Sequence, residues 1–261
     1  MKQYDHASLK KYNTFGIECQ CKNLLIAENQ QDIDTLFQER VFEQPFLIIG
    51  EGSNILFTND FDGNVIKLAT KGLEIINEDE DYVYVRAAGG ENWSDFVNFT
   101  IDNLLYGAEN LIGIPGLVGS CPVQNIGAYG TEAKDIIYQV EGHYLPNGEP
   151  FILYNEECHF AYRDSIFKNT LKEKCLITDV VFRLAKRETY RLSYQQLADK
   201  LQGEGKTPNL KLVAETVLEI RNSKLPDIKV VGCAGSFFKN PVVSLEKFNE
   251  LSSKFDDLVH H

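Results

Sequence analysis

The hydrophobic pattern of the first third of the chain predicts alternating strands and helices. Apolar runs predict short strands at 24–27 and 46–49, and a third strand is predicted at 65–68, where Lys67 stands among three apolar residues. Between the first two strands, apolar residues recur three and four positions apart, which predicts an amphipathic helix over 30–40. The second strand leads directly into residues 50–54, Gly-Glu-Gly-Ser-Asn, whose small side chains allow a ligand to approach the backbone.

The rest of the chain shows the alternating pattern that is typical of strands and the three-to-four-residue spacing that is typical of helices. Alternation of polar and apolar residues predicts a strand over 81–88 with one wet face. Further strands are predicted at 136–145, 151–154 and 175–184, with a hairpin turn at Asn147-Gly148. Helices are predicted at 92–103, 194–201, 210–224 and 244–255, and a turn into a short strand at 232–241.

The most informative stretch is 113–130, Gly-Ile-Pro-Gly-Leu-Val-Gly-Ser-Cys-Pro-Val-Gln-Asn-Ile-Gly-Ala-Tyr-Gly. It holds five of the chain's 19 glycines and two of its 8 prolines. Glycine reaches backbone angles closed to other residues, and proline fixes its own φ, so the loop has a defined shape. Successive N–H groups on such a loop suit a phosphate or pyrophosphate. The alternative interpretation is a tight crossing between packed elements.

Composition and charge narrow the class of protein. The chain has 261 residues and a net charge of −12, which argues against a nucleic-acid partner because that requires a basic surface. No apolar run is long enough to span a membrane, and the N-terminus lacks a signal-peptide pattern. The six cysteines have no paired spacing, which predicts reduced thiols and a cytoplasmic location.

Two polar clusters are candidates for chemistry. None of the five histidines lies in a metal-ligand or Ser/His/Asp pattern, so we predict no metal site. Arg163 lies among aromatic residues in 162–168, where it either binds a carboxylate or enolate oxygen or pairs with Asp164 at the surface. Ser236, in the Gly-Ser-Phe-Phe-Lys-Asn-Pro stretch 235–241, is either a rigidly held proton donor or a serine that completes a turn.

Five stretches occur in the order found in one family of flavoenzymes: 13–16 (Asn-Thr-Phe-Gly), 50–54, 113–130, 162–168 and 235–241. On these motifs, which run from near the start to near the end, the chain resembles the UDP-N-acetylenolpyruvoylglucosamine reductases. That family completes UDP-N-acetylmuramate for bacterial peptidoglycan. The resemblance implies an α+β fold, with a two-part FAD-binding region of the vanillyl-alcohol-oxidase-like (PCMH-type) superfamily and an incomplete α+β substrate domain.

The resemblance also implies a division of the chain. FAD-binding subdomains are expected at 1–72 and 73–208, with a substrate-closing loop near 190–205 in the second. The start of a C-terminal substrate domain is expected at 209–261. The loops at 50–54 and 113–130 are then expected to hold the FAD pyrophosphate. The implied cofactor-binding residues are Gly50, Gly52, Ser53, Asn54, Gly113, Ile114, Pro115, Gly116, Gly119, Ser120, Asn125, Gly127, Ala128 and Gly130.

In the implied reaction, NADPH reduces FAD, and a hydride then passes to the enolpyruvyl double bond of a UDP-amino-sugar ether. By motif match, Ser236 is the implied proton donor and Arg163 the implied stabiliser of an enolate-like intermediate. The implied substrate-binding residues are Tyr194, Lys224 and Asn240, with Arg221 as a weaker candidate. The full-length form is expected to be a monomer.

Family members continue past the position of His261, and their additional part carries a glutamate that acts together with the arginine. We therefore expect a C-terminally truncated chain whose apolar residues within 210–261 are partly exposed. Two alternatives to the reductase follow from this expectation. One is an FAD-binding module without turnover, and the other is a different oxidoreductase of the same FAD superfamily.

Overall fold

The computed structural model describes residues 1–203, 207–227, 230–235, 238–255 and 258. Within these ranges the chain combines two main sheets with several helices, so the expected α+β class is confirmed. The helices are α1 (Gln30–Gln38), α2 (Trp93–Asp102), α3 (Gln195–Gly203), α4 (Leu210–Lys224) and α5 (Leu245–Ser252). The division at residues 72 and 208 stays a prediction.

The first sheet has the order β1-β2-β4-β3. Its strands are β1 (Lys2–Ser8), β2 (Gln20–Ala27), β3 (Phe46–Ile49) and β4 (Phe61–Leu68). β4 is parallel to both β2 and β3, and β1 is antiparallel to β2. Because β3 ends at Ile49, the loop 50–54 emerges at the carboxyl edge of the parallel strands, where open α/β sheets bind ligands. β1 was not predicted, since nearly all of its side chains are exposed and give no apolar pattern.

The second sheet is antiparallel throughout and has the order β10-β9-β11-β6-β5. Its strands are β5 (Leu73–Glu78), β6 (Tyr82–Ala88), β9 (Ile137–Tyr144), β10 (Pro150–Tyr154) and β11 (Cys175–Ala185). The small hairpin of β7 (Gly127–Ala128) and β8 (Thr131–Glu132) lies in and beside the glycine-rich run. β6 alternates buried and half-buried residues, as its sequence predicts.

An aromatic cluster under the second sheet positions the glycine-rich run. The rings of Phe96 and Phe182 lie 4.2 Å apart, and Trp93 packs against both. Trp93 Nε1 donates to the carbonyl of Leu111 at 2.8 Å, and Trp93 N donates to Gly116 O at 3.0 Å. The start of α2 therefore holds the backbone on both sides of Gly113.

We expect Trp93→Phe to lower the free energy of unfolding by about 2 kcal/mol. Phenylalanine keeps the ring packing but leaves the Leu111 carbonyl without its donor, and Leu111 is fully buried. Urea unfolding followed by circular dichroism measures this difference without relying on the chain's single tryptophan. A loss below about 0.5 kcal/mol would show that the indole hydrogen bond does not stabilise this region.

The last described residues pack loosely, as the sequence predicts. α5 buries none of its side chains, and Phe238 and Phe255 are 87% and 59% exposed. Phe237, which belongs to the same predicted patch, lies outside the described residues. The short strand predicted within 232–241 is wrong for the described part of that range, which has no strand partner.

Candidate functional site

The two glycine-rich loops line one cleft of about 810 Å³. This volume lies in the range of roughly 300–1,000 Å³ that is common for small-molecule sites. Nine of the predicted cofactor-binding residues line the cleft: Gly50, Gly52, Ser53, Asn54, Gly113, Ile114, Pro115, Ser120 and Gly127. Apolar side chains from the same segments complete the wall: Ile48, Ile49, Ile55, Val123 and Ile126.

Side chains of the first loop fasten it to the second. Ser53 Oγ donates to Pro115 O at 3.3 Å, and Asn54 Nδ2 donates to Gln124 Oε1 at 3.1 Å. The carboxylate of Glu51 accepts a hydrogen bond from the backbone N–H of Gly116 at 3.2 Å. The two loops therefore form one preorganised wall. Glu51 and Gln124 were not singled out in the sequence, although both lie within the two loops that were.

Gly52 is the most constrained residue of the first loop. Its φ is +65°, in the left-handed region that favours glycine. A Cβ at this position would lie 2.1 Å from Tyr12 O and 2.7 Å from Asn13 Cα. Backbone atoms cannot give way as a flexible side chain can, so only glycine fits the observed loop.

The other five predicted cofactor residues do not line the cleft, and their role in cofactor binding stays a prediction: Gly116, Gly119, Asn125, Ala128 and Gly130. Gly119 lies at a tight backbone crossing, where its N–H donates to Gly89 O at 2.9 Å. A Cβ there would lie 3.1 Å from Gly89 Cα. The fully buried Asn125 side chain bonds the backbone of Ala161 and Lys134. The glycine-rich run thus lines the cleft at some residues and forms a tight backbone crossing at others, while its binding of a phosphate stays a prediction.

Among the described residues that line the cleft, positive side chains outnumber negative ones, although the whole chain is acidic. Arg163, Lys168 and Arg221 line it together with Glu51 and Asp227. Among the described residues, neither arginine forms an ion pair with a carboxylate. Burial lowers the pKa of Arg221, which lies beside Gly113. Two guanidinium groups without a carboxylate in salt-bridge contact among the described residues therefore favour an anionic ligand.

Arg163 is held by neutral acceptors. Its guanidinium donates to Gly127 O at 2.5 Å and to Asn125 O at 3.5 Å, and lies 5.5 Å from the centre of the Tyr162 ring. Asp164 instead accepts from Ser165 N and Asn169 Nδ2, so the surface pair Arg163–Asp164 is not formed. The positive charge of Arg163 remains available in the cleft.

A smaller pocket of about 260 Å³ opens beside the cleft. Arg163, Lys168, Asn54 and Gln124 line both cavities, and Asn240 lines the smaller one. The structure thus brings Arg163 and Asn240, two residues predicted to do chemistry or to bind substrate, to one pocket. Ser236, the predicted proton donor, lies outside the described residues, and its neighbour Gly235 lines the larger cleft.

Tyr194 and Lys224 meet although 30 residues separate them. Lys224 Nζ donates to the Tyr194 hydroxyl at 3.4 Å and lies 5.7 Å from the centre of its ring. The Tyr129 ring, from the glycine-rich run, packs edge-on against Tyr194 with centres 5.0 Å apart. Neither Tyr194 nor Lys224 lines the two cavities, so their substrate-binding role stays a prediction.

A buried asparagine that the sequence analysis missed holds the segment leading to Tyr194. Asn110 is 1% exposed, and its Nδ2 donates to Tyr129 O and to Arg191 O, both at 2.8 Å. Arg191 also forms an ion pair with Asp135. Asn110 gave no signal in the sequence, because its two partners lie 19 and 81 residues away.

The neighbouring Glu109 makes the stability of this region depend on pH. It is 2% exposed, and burial raises the pKa of its carboxyl above 4.5. The pKa of Glu109 is higher in the folded chain than in the unfolded chain. The folded protein therefore loses stability as the pH rises from the unfolded pKa through the folded pKa. We expect the stability of Glu109→Gln relative to wild type to increase as the pH rises above about 4.5.

Urea unfolding of both proteins at each pH measures this difference. Glutamine still offers an oxygen to Gly107 N, which donates to Glu109 Oε2 at 2.7 Å. A difference that does not change with pH would mean that Glu109 titrates alike in the folded and unfolded chains.

Comparison with known proteins identifies the family. The family model described as FAD binding domain matches residues 22–153, from within β2 to within β10. The UDP-N-acetylenolpyruvoylglucosamine reductase of Flavobacterium johnsoniae is 44% identical over 260 residues, which cover 99% of this chain and 77% of that protein. The chain belongs to the UDP-N-acetylenolpyruvoylglucosamine reductase family.

Two further comparisons agree with this membership. The UDP-N-acetylenolpyruvoylglucosamine reductase of Shewanella oneidensis is 43% identical over 256 residues, which cover 97% of this chain and 73% of that protein. The crystal structure of the reductase from Thermus caldophilus has a TM-score of 0.67 at 22% identity, over 96% of this chain and 79% of that one, which confirms the fold. About a quarter of each curated relative's length is unmatched.

The residues that line the cleft fit FAD. Exposed backbone and hydroxyl groups of the two loops and the two arginines suit the pyrophosphate, and the isoleucine-rich wall suits a flat ring system. The close approach at Gly52 fixes the loop without any side chain that would narrow the cleft.

In the described ranges, none of the helices combines the length and the hydropathy needed to cross a bilayer.

Proposed function

We propose that this chain uses FAD and NADPH to reduce the enolpyruvyl double bond of a UDP-N-acetylglucosamine enolpyruvyl ether, which yields UDP-N-acetylmuramate for peptidoglycan. The observation that carries this proposal is the 44% identity to a reductase of that name over 99% of the chain. The cleft built from both glycine-rich loops supports the same reaction. NADPH and nucleotide sugars are cytoplasmic compounds, so we place the reaction there, and we carry over the family's monomeric state.

Bound FAD would supply the hydride transfer between NADPH and the double bond. Gly50, Gly52, Ser53 and Asn54 would hold its pyrophosphate together with Gly113–Pro115 of the second loop, all of which line the cleft. Arg221, beside Gly113, would contribute positive charge to the same wall. The position of Arg221 in the lining of the larger cleft supports this role, and its contact with the sugar stays a prediction.

Arg163 would stabilise the negative charge that develops on the substrate when the double bond accepts a hydride. Its guanidinium is fixed by two carbonyl groups that carry no net charge, so it needs no reorganisation when that charge appears. Ser236, assigned by its match to the family motif at 235–241, would then give a proton to the adjacent carbon. Asn240, Tyr194 and Lys224 would bind the substrate, the last two at its diphosphate.

The test is turnover of the FAD-reconstituted chain with NADPH and the enolpyruvyl substrate, beside the variant Ser236→Ala. We expect NADPH consumption that depends on the substrate, and its loss in Ser236→Ala with FAD still bound. A chain that binds FAD and oxidises NADPH but forms no UDP-N-acetylmuramate would contradict the proposal and support an FAD-binding module without turnover. Loss of FAD from Ser236→Ala would show that Ser236 is structural.

A further inference from the structure

The Asn-Thr-Phe-Gly stretch at 13–16 has no part in the proposed chemistry, yet it contacts two walls of the cleft. Thr14 Oγ1 donates to Cys233 O at 2.6 Å, and Cys233 N donates back to Thr14 O at 3.1 Å. On its other side, Thr14 N donates to Gly52 O at 3.2 Å. One residue near the N-terminus therefore joins the segment 230–235 to the loop that contains Gly52.

Close backbone packing supports these hydrogen bonds. A Cβ on Gly232 would lie 2.2 Å from Phe15 O, so the two backbones are in direct contact there. The side chain of Asn13 holds its own turn, since Nδ2 donates to Leu9 O at 2.8 Å and Oδ1 accepts from Ile17 N at 3.0 Å. The turn at 13–16 is thus a preformed support, against which the segment 230–235 docks.

The docked segment forms part of the cofactor cleft. Cys233, Ala234 and Gly235 line the cleft, as do Thr14 and Gly52. Within the described part of the segment, Val230 and Val231 are 80% and 54% exposed, whereas Ala234 is 4% exposed. Thr14 contributes two hydrogen bonds to Cys233 in the described part of this wall.

We propose that Thr14 is a positioning residue. Its hydroxyl holds the segment 230–235 against the loop at 50–54, so that docking of the segment and binding of FAD are linked. This inference rests on the proposed FAD site. A ligand that touches both walls favours the docked state, and docking in turn favours the ligand by the same factor. The hydrogen bond from Thr14 to Cys233 also fixes the segment that leads directly to Ser236.

Cys233 provides a direct measure of docking. Its thiol is half-buried in the docked segment and accepts a hydrogen bond from Gly235 N at 3.2 Å. Cys19, Cys21, Cys121 and Cys158 are buried, and Cys175 lies in the second sheet. Alkylation by N-ethylmaleimide, followed at the Cys233 peptide by mass spectrometry, therefore reports how often the segment opens.

The experiment compares wild type with Thr14→Val and Thr14→Ser in the FAD-free chain. Valine keeps the branched shape of threonine but cannot donate to Cys233 O, whereas serine keeps the hydroxyl. We expect alkylation of Cys233 to be about three- to tenfold faster in Thr14→Val, which loses the hydroxyl's bonds to Cys233 O at 2.6 Å and to Gly52 O at 3.4 Å, and near the wild-type rate in Thr14→Ser. Thermal unfolding of the three proteins checks that the fold is intact.

Saturating FAD is then expected to slow alkylation of Cys233 in wild type. Equal alkylation rates of Cys233 in all three proteins, or the same increase in the valine and serine variants, would contradict the positioning role of Thr14. FAD that binds without protecting Cys233 would overturn the linkage. A wild-type chain that binds no FAD would refute the proposed function, while the variant comparison without FAD would still decide whether Thr14 holds the segment.

Discussion

Replacing Gly52 with alanine is expected to weaken FAD binding at least about 100-fold, as measured by titration of the visible flavin absorbance. The left-handed φ of +65° costs a residue with a Cβ about 1–2 kcal/mol. The contact of 2.1 Å with Tyr12 O adds to that cost, because two backbone segments must separate before the side chain fits. The displaced loop carries Ser53 and Asn54, which fasten it to Pro115 and Gln124.

Gly16→Ala is the matched control. Gly16 has a φ of +67°, nearly that of Gly52, but a Cβ there would have no neighbour within 4 Å. The control therefore has the same backbone strain without the collision, and we expect its FAD affinity to stay within about threefold of wild type. Equal losses of affinity in both variants would show that backbone strain alone, and not the close approach to Tyr12, governs the loop.

Replacing Arg163 with methionine is expected to lower turnover of the enolpyruvyl substrate about 100- to 1,000-fold, the cost of removing one preorganised group that stabilises an oxyanion. Methionine retains the length of the side chain but cannot offer charge or donors. The loss is expected in kcat more than in KM, because the interaction strengthens only as negative charge develops on the substrate. Steady-state kinetics of the FAD-loaded chain measures both constants.

Arg163 also donates hydrogen bonds to Gly127 and Asn125 in the glycine-rich run. Arg163→Met therefore has two possible causes of lost turnover: the missing charge at the substrate and a displaced cofactor-binding loop. Stopped-flow absorbance separates the two causes, since reduction of bound flavin by NADPH does not require the substrate. We expect that rate and the FAD affinity to stay near wild type in Arg163→Met. Parallel losses of FAD affinity and of flavin reduction would assign Arg163 to loop structure. Arg163→Lys, which keeps the charge, is expected to regain part of the lost turnover.

Local sequence patterns predicted most of the secondary structure, because burial of one face leaves a periodic signal. The helices at Gln30–Gln38 and Trp93–Asp102 and the strand at Tyr82–Ala88 follow that signal closely. β1 (Lys2–Ser8) was missed, because it pairs through its backbone while its side chains remain exposed. The short strand predicted within 232–241 failed for a related reason, since no neighbouring strand pairs with its described residues.

By itself, the sequence predicted the two loops from their glycine and proline content, while the FAD cofactor and the family were implied by the resemblance of five ordered motifs. Only the tertiary structure decided how those residues divide the work. It placed Gly113 in the cleft and Gly119 in a backbone crossing, because local sequence does not show which residue lies opposite. It brought Tyr194 into contact with Lys224, 30 positions away, and Thr14 into contact with Cys233, 219 positions away. Contacts over such separations are set by the path of the whole chain.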